Sequence, residues 1–390
     1  MGSISPQPGT SQIPQEIGAE ATRDKKSDNW DPFVGTFQKY ARIKALSATP
    51  QQAQPKGGQI LKVLVIGSGR MGAIRAEDLS ANSKVSQVLI TNRNPDHGMA
   101  LAQKFSAEFV PWDLLGSIEA DAFVVAVGTA AHEQVLSKVL PHGKPVLCEK
   151  PIAASLSGTR AAIESAAKYG ATLQIGFQRR FDENIQKMKK QIQSGEIGTL
   201  YSLTMTAHDF TPSAREFIEG SGGIFRDMHV HDFDLIRWLT DTEVETVFAT
   251  KSVLEHQDYA DFGDADTSAV VAKTSSGVPV IISGTRHNGL GQDVRLEAFG
   301  SKNSISAGLN TRTPLHDLEQ QLKLNVNPYL GFVDRFRDAF RNETNAFVSF
   351  AGGEIANPCP ADSALESLRI AEACELSASS GKSVRVAEVL

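Results

Sequence analysis

The sequence predicts an α/β fold: an N-terminal Rossmann domain with a doubly wound parallel sheet, then an α+β domain with a large, mostly antiparallel sheet. Three observations carry this. An apolar strand run at 61–66 is followed at once by Gly67-Ser68-Gly69-Arg70-Met71-Gly72 and then by helical spacing. Strand runs and helical runs then alternate as far as residue 177. Beyond Gly176 several strands succeed one another with no helix between them, the pattern of an antiparallel sheet.

Composition bounds the function. The chain has 390 residues, enough for two domains. It is 41% hydrophobic and 22% charged, as ordinary globular proteins are. A net charge of −6 leaves no electrostatic footprint for nucleic acid or an anionic membrane. Cys148, Cys359 and Cys374 are too scattered for a disulfide framework or a CxxC metal site, which fits a reducing compartment. No apolar run reaches the length of a membrane span. The first residues carry no signal-peptide core and no twin arginine. Pro6 stands where a myristoylation start needs Ser or Thr. Glu16, Glu20, Asp24, Asp28 and Asp31 argue against a transit peptide. A cytoplasmic location is expected.

Taken in order, residues 1–58 are rich in Ser, Pro, Gln and Gly and read as a largely flexible arm. Trp30, Phe33, Phe37, Tyr40 and Ile43 suggest one short amphipathic helix within it, and 51–58 a linker. The dinucleotide-binding domain is placed at 59–177. In its glycine turn the first glycine makes the turn and the second lets backbone approach a pyrophosphate. The third allows close helix–strand packing, and helix N-terminal amides face the phosphates. Strands are expected at 85–91, 121–127, 145–148 and 172–175, and helices at 73–79, 95–105, 130–140 and 158–168. The second domain, 178–390, is read as substrate-binding and oligomerisation domain. It carries a helix at 185–193, strands at 200–207, 243–253, 267–273, 278–284 and 294–299, and helices at 329–347 and 361–379. The last helix is allowed to pack back on the Rossmann domain. No internal repeat is present.

The chemistry is expected on the stretch Gly222 to Asp234. Two glycines permit a tight entry, and Asp227, His231 and Asp234 at i, i+4 and i+7 would share one helical face. Two carboxylates and an imidazole there can hold a hydroxyl and move its proton. A solvated face with incidental ion pairs is the plainer alternative. His229 and His231 resemble a metal pair, but on a helix they point about 200° apart, so no metal is expected. Lys150, in Cys148-Glu149-Lys150-Pro151 at the carboxyl end of a strand, can steer an alcohol oxygen.

Together these segments resemble the Gfo/Idh/MocA superfamily of oxidoreductases, over about 60–388. The likeness rests on the glycine turn, Glu149-Lys150-Pro151, Gly176 through Asp182, Gly222 through Asp234, and Asp293 through Ser301. Arg335 through Phe340 and the closing Ser380-Gly381-Lys382-Ser383-Val384 extend it. The inositol 2-dehydrogenase branch is most similar in pattern. The resemblance implies Lys150 as catalytic lysine and Asp227 and His231 as the Asp-x-x-x-His pair, with His231 the proton acceptor. It implies Asp234 and His208 as substrate contacts and His132 as the histidine after the fourth-strand loop. Gly67, Ser68, Gly69, Arg70, Met71, Gly72, Asn92, Arg93, Thr129, His132, Glu149 and Lys150 would bind the cofactor. It further implies a homo-oligomer, dimer or tetramer. Gly128 departs from the family's usual proline, which would loosen that loop, and Gly289-Leu290-Gly291 from a Tyr-Gly-Tyr. The lost tyrosine hydroxyl widens the expected substrate from myo-inositol to a cyclitol or sugar.

The expected reaction is hydride transfer between a ring carbinol carbon and NAD(P). His231 takes the hydroxyl proton, Lys150 stabilises the oxygen, and Asp227 fixes both the hydroxyl and the imidazole tautomer. Where NAD enzymes place an acid at the end of the second strand, this chain has Thr91-Asn92-Arg93. Arg93, with Thr91 in support, favours NADP, whereas the resemblance points towards NAD, with Asn92 alone serving the ribose and Arg93 facing solvent as the plainer alternative. Three rivals are internal redox or hydrolysis on bound nicotinamide, a catalytically silent binding protein, and a metal hydrolase on His229 and His231.

Overall fold

A computed structural model describes residues 60–389. The expected arm, with its amphipathic helix and linker, lies outside the described residues.

The first half alternates strand and helix. It runs β1 (Leu61–Ile66), α1 (Arg70–Ser80), β2 (Val85–Thr91), α2 (Pro95–Phe105) and a short β3 (Glu108–Phe109). There follow β4 (Ala122–Val125), α3 (His132–Val139), β5 (Pro145–Glu149), α4 (Leu156–Tyr169) and β6 (Thr172–Gly176). All six strands are parallel, in the order β3-β2-β1-β4-β5-β6. That is the doubly wound Rossmann order, whose crevice opens at the strand carboxyl ends beside β1 and β4. Local chemistry explains the helix ends. Asn94 Oδ1 accepts from the amides of Asp96 and His97 to start α2, with Pro95 in its first turn. Ser155 caps α4, which stops at Gly170 in the left-handed region.

The second half runs α5 (Glu183–Gln193), β7 (Leu200–His208), α6 (Arg215–Ser221), α7 (Ile224–Asp227) and α8 (Val230–Thr240). Strands β8 (Val244–Ser252), β9 (Thr267–Thr274), β10 (Pro279–Thr285), β11 (Asp293–Gly300) and β12 (Ser304–Ala307) follow. Helices α9 (Phe332–Ala351) and α10 (Ala361–Ser380) and the short β13 (Val384–Arg385) close the described chain. The seven strands take the order β12-β11-β7-β10-β9-β8-β13. Every neighbouring pair is antiparallel except β7 and β10. Three helices separate β7 from the β8–β9–β10 meander, so β10 returns beside β7 in the same direction.

Alternation gives this sheet two faces. Leu203, Met205, Ala207, Val270, Ala272, Val280 and Ile282 turn inward and share a core with Phe233 and Ile236 of α8 and Leu368 and Ala371 of α10. The two halves are also stitched together by α9. Its Phe347 and Val348 join the core of β1 and α1, and its Glu343 and Thr344 meet Arg75 of α1, which is fully buried. Among the described residues no helix is long and apolar enough to cross a membrane.

Candidate active site

The glycine turn between β1 and α1 has the form a dinucleotide needs. Gly67 sits at φ +108, and a Cβ there would strike the Ala126 carbonyl oxygen at 2.6 Å. A Cβ on Gly72 would lie 2.0 Å from the Gly67 carbonyl oxygen. Around Gly69, by contrast, nothing lies within 4 Å. Two glycines therefore close the turn, and the middle one leaves an open approach for a pyrophosphate. No side chain caps the start of α1, so its first amides remain available to an anion. The chain's residues thus fit a dinucleotide. Arg70, at the head of α1, lies with its guanidinium 4.5 Å from the ring centre of Phe332.

At the end of β2, Asn92 Oδ1 accepts from the Ser68 amide at 3.3 Å. Arg93 stacks 5.7 Å over Trp112 and donates to Gln134 Oε1 at 3.4 Å. Thr91 corrects the expectation that it supports a phosphate, because it is fully buried in the sheet.

Lys150 directly follows β5 and reaches across to α7. Its Nζ donates to Asp227 Oδ1 at 2.9 Å and to the Asp227 carbonyl at 2.8 Å. The other carboxylate oxygen of Asp227 accepts from Arg286 Nη1 at 2.7 Å. Burial alone would raise the Asp227 carboxyl, but Lys150 and Arg286 together hold it well below the usual carboxylate range. His231 lies near this cluster, edge-on to Phe177 at 5.6 Å between ring centres. Burial, with the nearby cations Lys150 and Arg179, lowers its pKa well below that of a free imidazole. The ring is therefore neutral at physiological pH, as a general base must be. Its Nδ1 is buried without a partner.

The shared stripe of Asp227, His231 and Asp234 is not what forms. α7 stops at Asp227 and α8 starts at Val230. Between them the His229 amide donates five residues back, to the Ile224 carbonyl at 3.1 Å, and the widened turn resets the helical phase. No hydrogen bond among the described residues joins Asp227 to His231, so Asp227 does not fix the imidazole tautomer. Both Asp234 oxygens are taken by Arg180, at 2.7 and 2.6 Å, inside the protein. The expected substrate-side carboxylate is a buried ion pair.

Three further expectations change in the same way. Glu149 turns inward to Arg75 Nε at 2.9 Å rather than toward a cofactor. His132 bridges the Val127 and Pro151 carbonyls, at 3.1 and 2.8 Å, and so ties the loops after β4 and β5 together. Gly128 beside it holds φ −66, a value proline itself would take. His208 follows the outward alternation of β7, and its Nε2 meets Ser283 Oγ at 3.0 Å on the face opposite the helices. His229 is locked between Asp232 Oδ2 and Ser268 Oγ, both at 2.8 Å, so it shares no ligand point with His231. That geometry removes the metal-hydrolase alternative.

Several site residues escaped the sequence reading. Arg286 is almost fully buried and also approaches Asp264 at 3.5 Å. Asp209, whose carboxyl burial raises, accepts from Gln292 Nε2 at 2.9 Å. Arg179 donates to Asp232 Oδ1 at 2.5 Å. A signal existed for two of them. Val280, Ile282 and Gly284 alternate inward, and Arg286 falls next in that series; Leu203, Met205 and Ala207 lead likewise to Asp209.

Comparison with known proteins agrees with this architecture. Residues 61–177 match the family described as "Oxidoreductase family, NAD-binding Rossmann fold", and 185–306 match the GFO/IDH/MocA C-terminal domain. The chain is 32% identical over 339 residues to the inositol 2-dehydrogenase of Rhizobium meliloti, covering 83% of this chain and 98% of that one. The chain belongs to the Gfo/Idh/MocA oxidoreductase family. To the myo-inositol 2-dehydrogenase of Thermotoga maritima this Gfo/Idh/MocA protein is 32% identical, over 85% of its own length and all of the relative's. The crystal structure of a myo-inositol dehydrogenase from Corynebacterium glutamicum superposes with a TM-score of 0.75 at 30% identity, covering 83% and 98% of the two chains. It is thus an oxidoreductase with an NAD-binding Rossmann fold, related to inositol dehydrogenases.

Proposed function

We propose that this Gfo/Idh/MocA protein oxidises a ring hydroxyl of a cyclitol or sugar with NAD(P), or runs the reverse reduction. The observation that carries the reading is the Lys150–Asp227 contact at 2.9 Å beside a neutral His231, at the carboxyl end of β5. Neutral His231, with Nδ1 turned into the protein, takes the substrate hydroxyl proton at Nε2. Lys150 donates to the same oxygen as negative charge develops there. Asp227 holds the ammonium of Lys150 in place. Gly67, Ser68, Gly69, Arg70, Met71, Gly72 and Thr129 cradle and orient the dinucleotide. The bound nicotinamide supplies the hydride chemistry.

At the ribose, Asn92 and Arg93 present no acid to repel a 2′-phosphate, and Arg93 is held at the surface by Trp112. That residue set favours NADP, in contrast to the family's NAD-binding description.

The proposed partner is a second copy of the chain. Phe248, Val271 and Ile281 stand exposed on the outer sheet face, aligned across β8, β9 and β10 by the strand register. Such a row calls for a cover.

The test is oxidation of a panel of cyclitols and aldoses with each cofactor, followed by nicotinamide absorbance. Sustained reduction of added cofactor over many turnovers with a cyclitol or sugar supports the reading. Failure of the whole panel to reduce either cofactor overturns it.

A further inference from the structure

We propose that Glu255, His256 and His287 bind one divalent transition-metal ion of the zinc class. His287 Nδ1 lies 3.3 Å from His256 Nε2 and 3.3 Å from Glu255 Oε2. The third edge, His256 Nε2 to Glu255 Oε2, is 3.6 Å. A tetrahedral zinc ion with bonds of about 2.0–2.1 Å spaces its ligand atoms about 3.3–3.4 Å apart. The three atoms form a triangle of that size, leaving a fourth position for water.

Hydrogen bonds within the triangle satisfy only part of it. The carboxylate oxygen only accepts, and each imidazole nitrogen carries either a proton or a lone pair. Two protons put N–H against N–H. One proton leaves the bare nitrogen facing another lone pair. No proton leaves three lone pairs converging. A cation turns all three contacts attractive, and two imidazoles with one carboxylate form a borderline-soft donor set suited to zinc, nickel or copper.

The ligands are also held in advance. The Asp266 carboxylate accepts from the amides of Leu254 (3.0 Å), Glu255 (2.8 Å) and His256 (2.9 Å), fixing that loop. The Asp266 carbonyl accepts from the Arg286 amide at 2.7 Å, and Thr285 Oγ1 donates to the His287 carbonyl at 3.0 Å. One buried aspartate therefore positions both halves of the site. Both imidazoles are partly exposed and Glu255 more so, which gives the ion an entry path. A bound ion would tie the 254–256 loop to the strand end that carries Arg286, and so brace the partner of Asp227.

The test is to strip the full chain with chelator and titrate it with Co²⁺, watching the visible d–d absorption of tetrahedral cobalt. Zn²⁺ is then added to displace it. The expected result is one equivalent of cobalt signal, abolished by Zn²⁺ and absent from the His256→Ala/His287→Ala double variant. Zn²⁺ should raise the unfolding midpoint of the wild type and leave that of the double variant unchanged. The double variant should keep wild-type turnover in chelator. No absorption on titration, or an undiminished signal in the double variant, would overturn the site.

Discussion

Arg286 Nη1 and Asp227 Oδ2 meet at 2.7 Å in a site where the arginine has almost no exposure. Asp227 is thereby clamped between two cations, and in the proposed mechanism it holds Lys150 rather than orienting His231. Removing the arginine leaves a buried carboxylate half compensated. Arg286→Ala should cost on the order of 3–5 kcal/mol of stability, as broken buried pairs do. The conservative Arg286→Lys should refold but lower kcat, because one ammonium cannot span Asp227 and Asp264 together. Chemical denaturation of both variants, with kinetics of the lysine form, checks this; wild-type kcat in Arg286→Lys would remove the clamp.

The proposed catalytic pair should respond separately. His231→Ala and Lys150→Met should each lower kcat by about 10²–10⁴-fold, the usual contribution of acid–base groups, with far-UV circular dichroism unchanged. Turnover within a few-fold of wild type in His231→Ala would take the proton-acceptor role away from it.

The state of His231 sets a pH profile. Its folded pKa lies well below 6.5, first through burial and then through Lys150 and Arg179. kcat/KM should therefore stay flat as pH falls from 8 through about 6.5, an ordinary imidazole value, and drop only below it. In the unfolded chain the same ring takes a proton near 6.5, so this group withdraws stability as pH falls below about 6.5. An acid limb centred at or above 6.5 would show a solvated imidazole instead.

Glu343 runs in the opposite sense. Burial pushes its carboxyl up to about 7, against the pull of Arg75, which Glu149 also shares. The folded protein then holds a proton that the unfolded chain releases near 4.5, so stability should fall as pH rises between about 4.5 and 7. Glu343→Gln should flatten that slope when unfolding midpoints are measured at pH 5, 6 and 7. An unchanged slope would place the titration elsewhere.

In the proposed reading, cofactor choice rests on Arg93. A charge-assisted contact of about 1.5–3 kcal/mol corresponds to a roughly 10- to 150-fold preference. Arg93→Ala should lose that factor in kcat/KM for NADP and leave NAD unaffected. If the wild type prefers NAD, Asn92 alone serves the ribose and the arginine is a surface cation stacked on Trp112.

The sequence disclosed most readily whatever repeats or alternates. The parallel sheet of the first half and its helices are visible in apolar spacing, and β2 and α2 fall at their expected ends. The glycine turn was legible because sterics demand particular residues at particular places. Lys150, Asp227 and His231 could be picked out, but their relation could not. It turns on one widened turn at Met228–His229, where no residue type signals a change of phase. Asp234, Glu149 and His132 looked like site residues because their chemistry suits a site. Their partners Arg180, Arg75 and the two loop carbonyls lie elsewhere in the chain, and only the folded protein brings them near. Arg286 was hidden for the converse reason, since a lone arginine after a strand is ordinary until its inward register is known.

Arg75 lies near the beginning of the described chain, and Glu343 and Thr344 near its end, yet the three meet inside the protein. Phe347 and Val348 fill the core around β1 beside them. On the ribosome, the glycine turn and its helix are made first, with their arginine unpaired and one apolar flank open. They stay incomplete until some 270 further residues have been added, the span between Arg75 and Thr344. The nucleotide half is thus finished by the last quarter of the chain, and a fragment ending at residue 177 would leave Arg75 paired with Glu149 alone, beside an unfilled groove where α9 belongs.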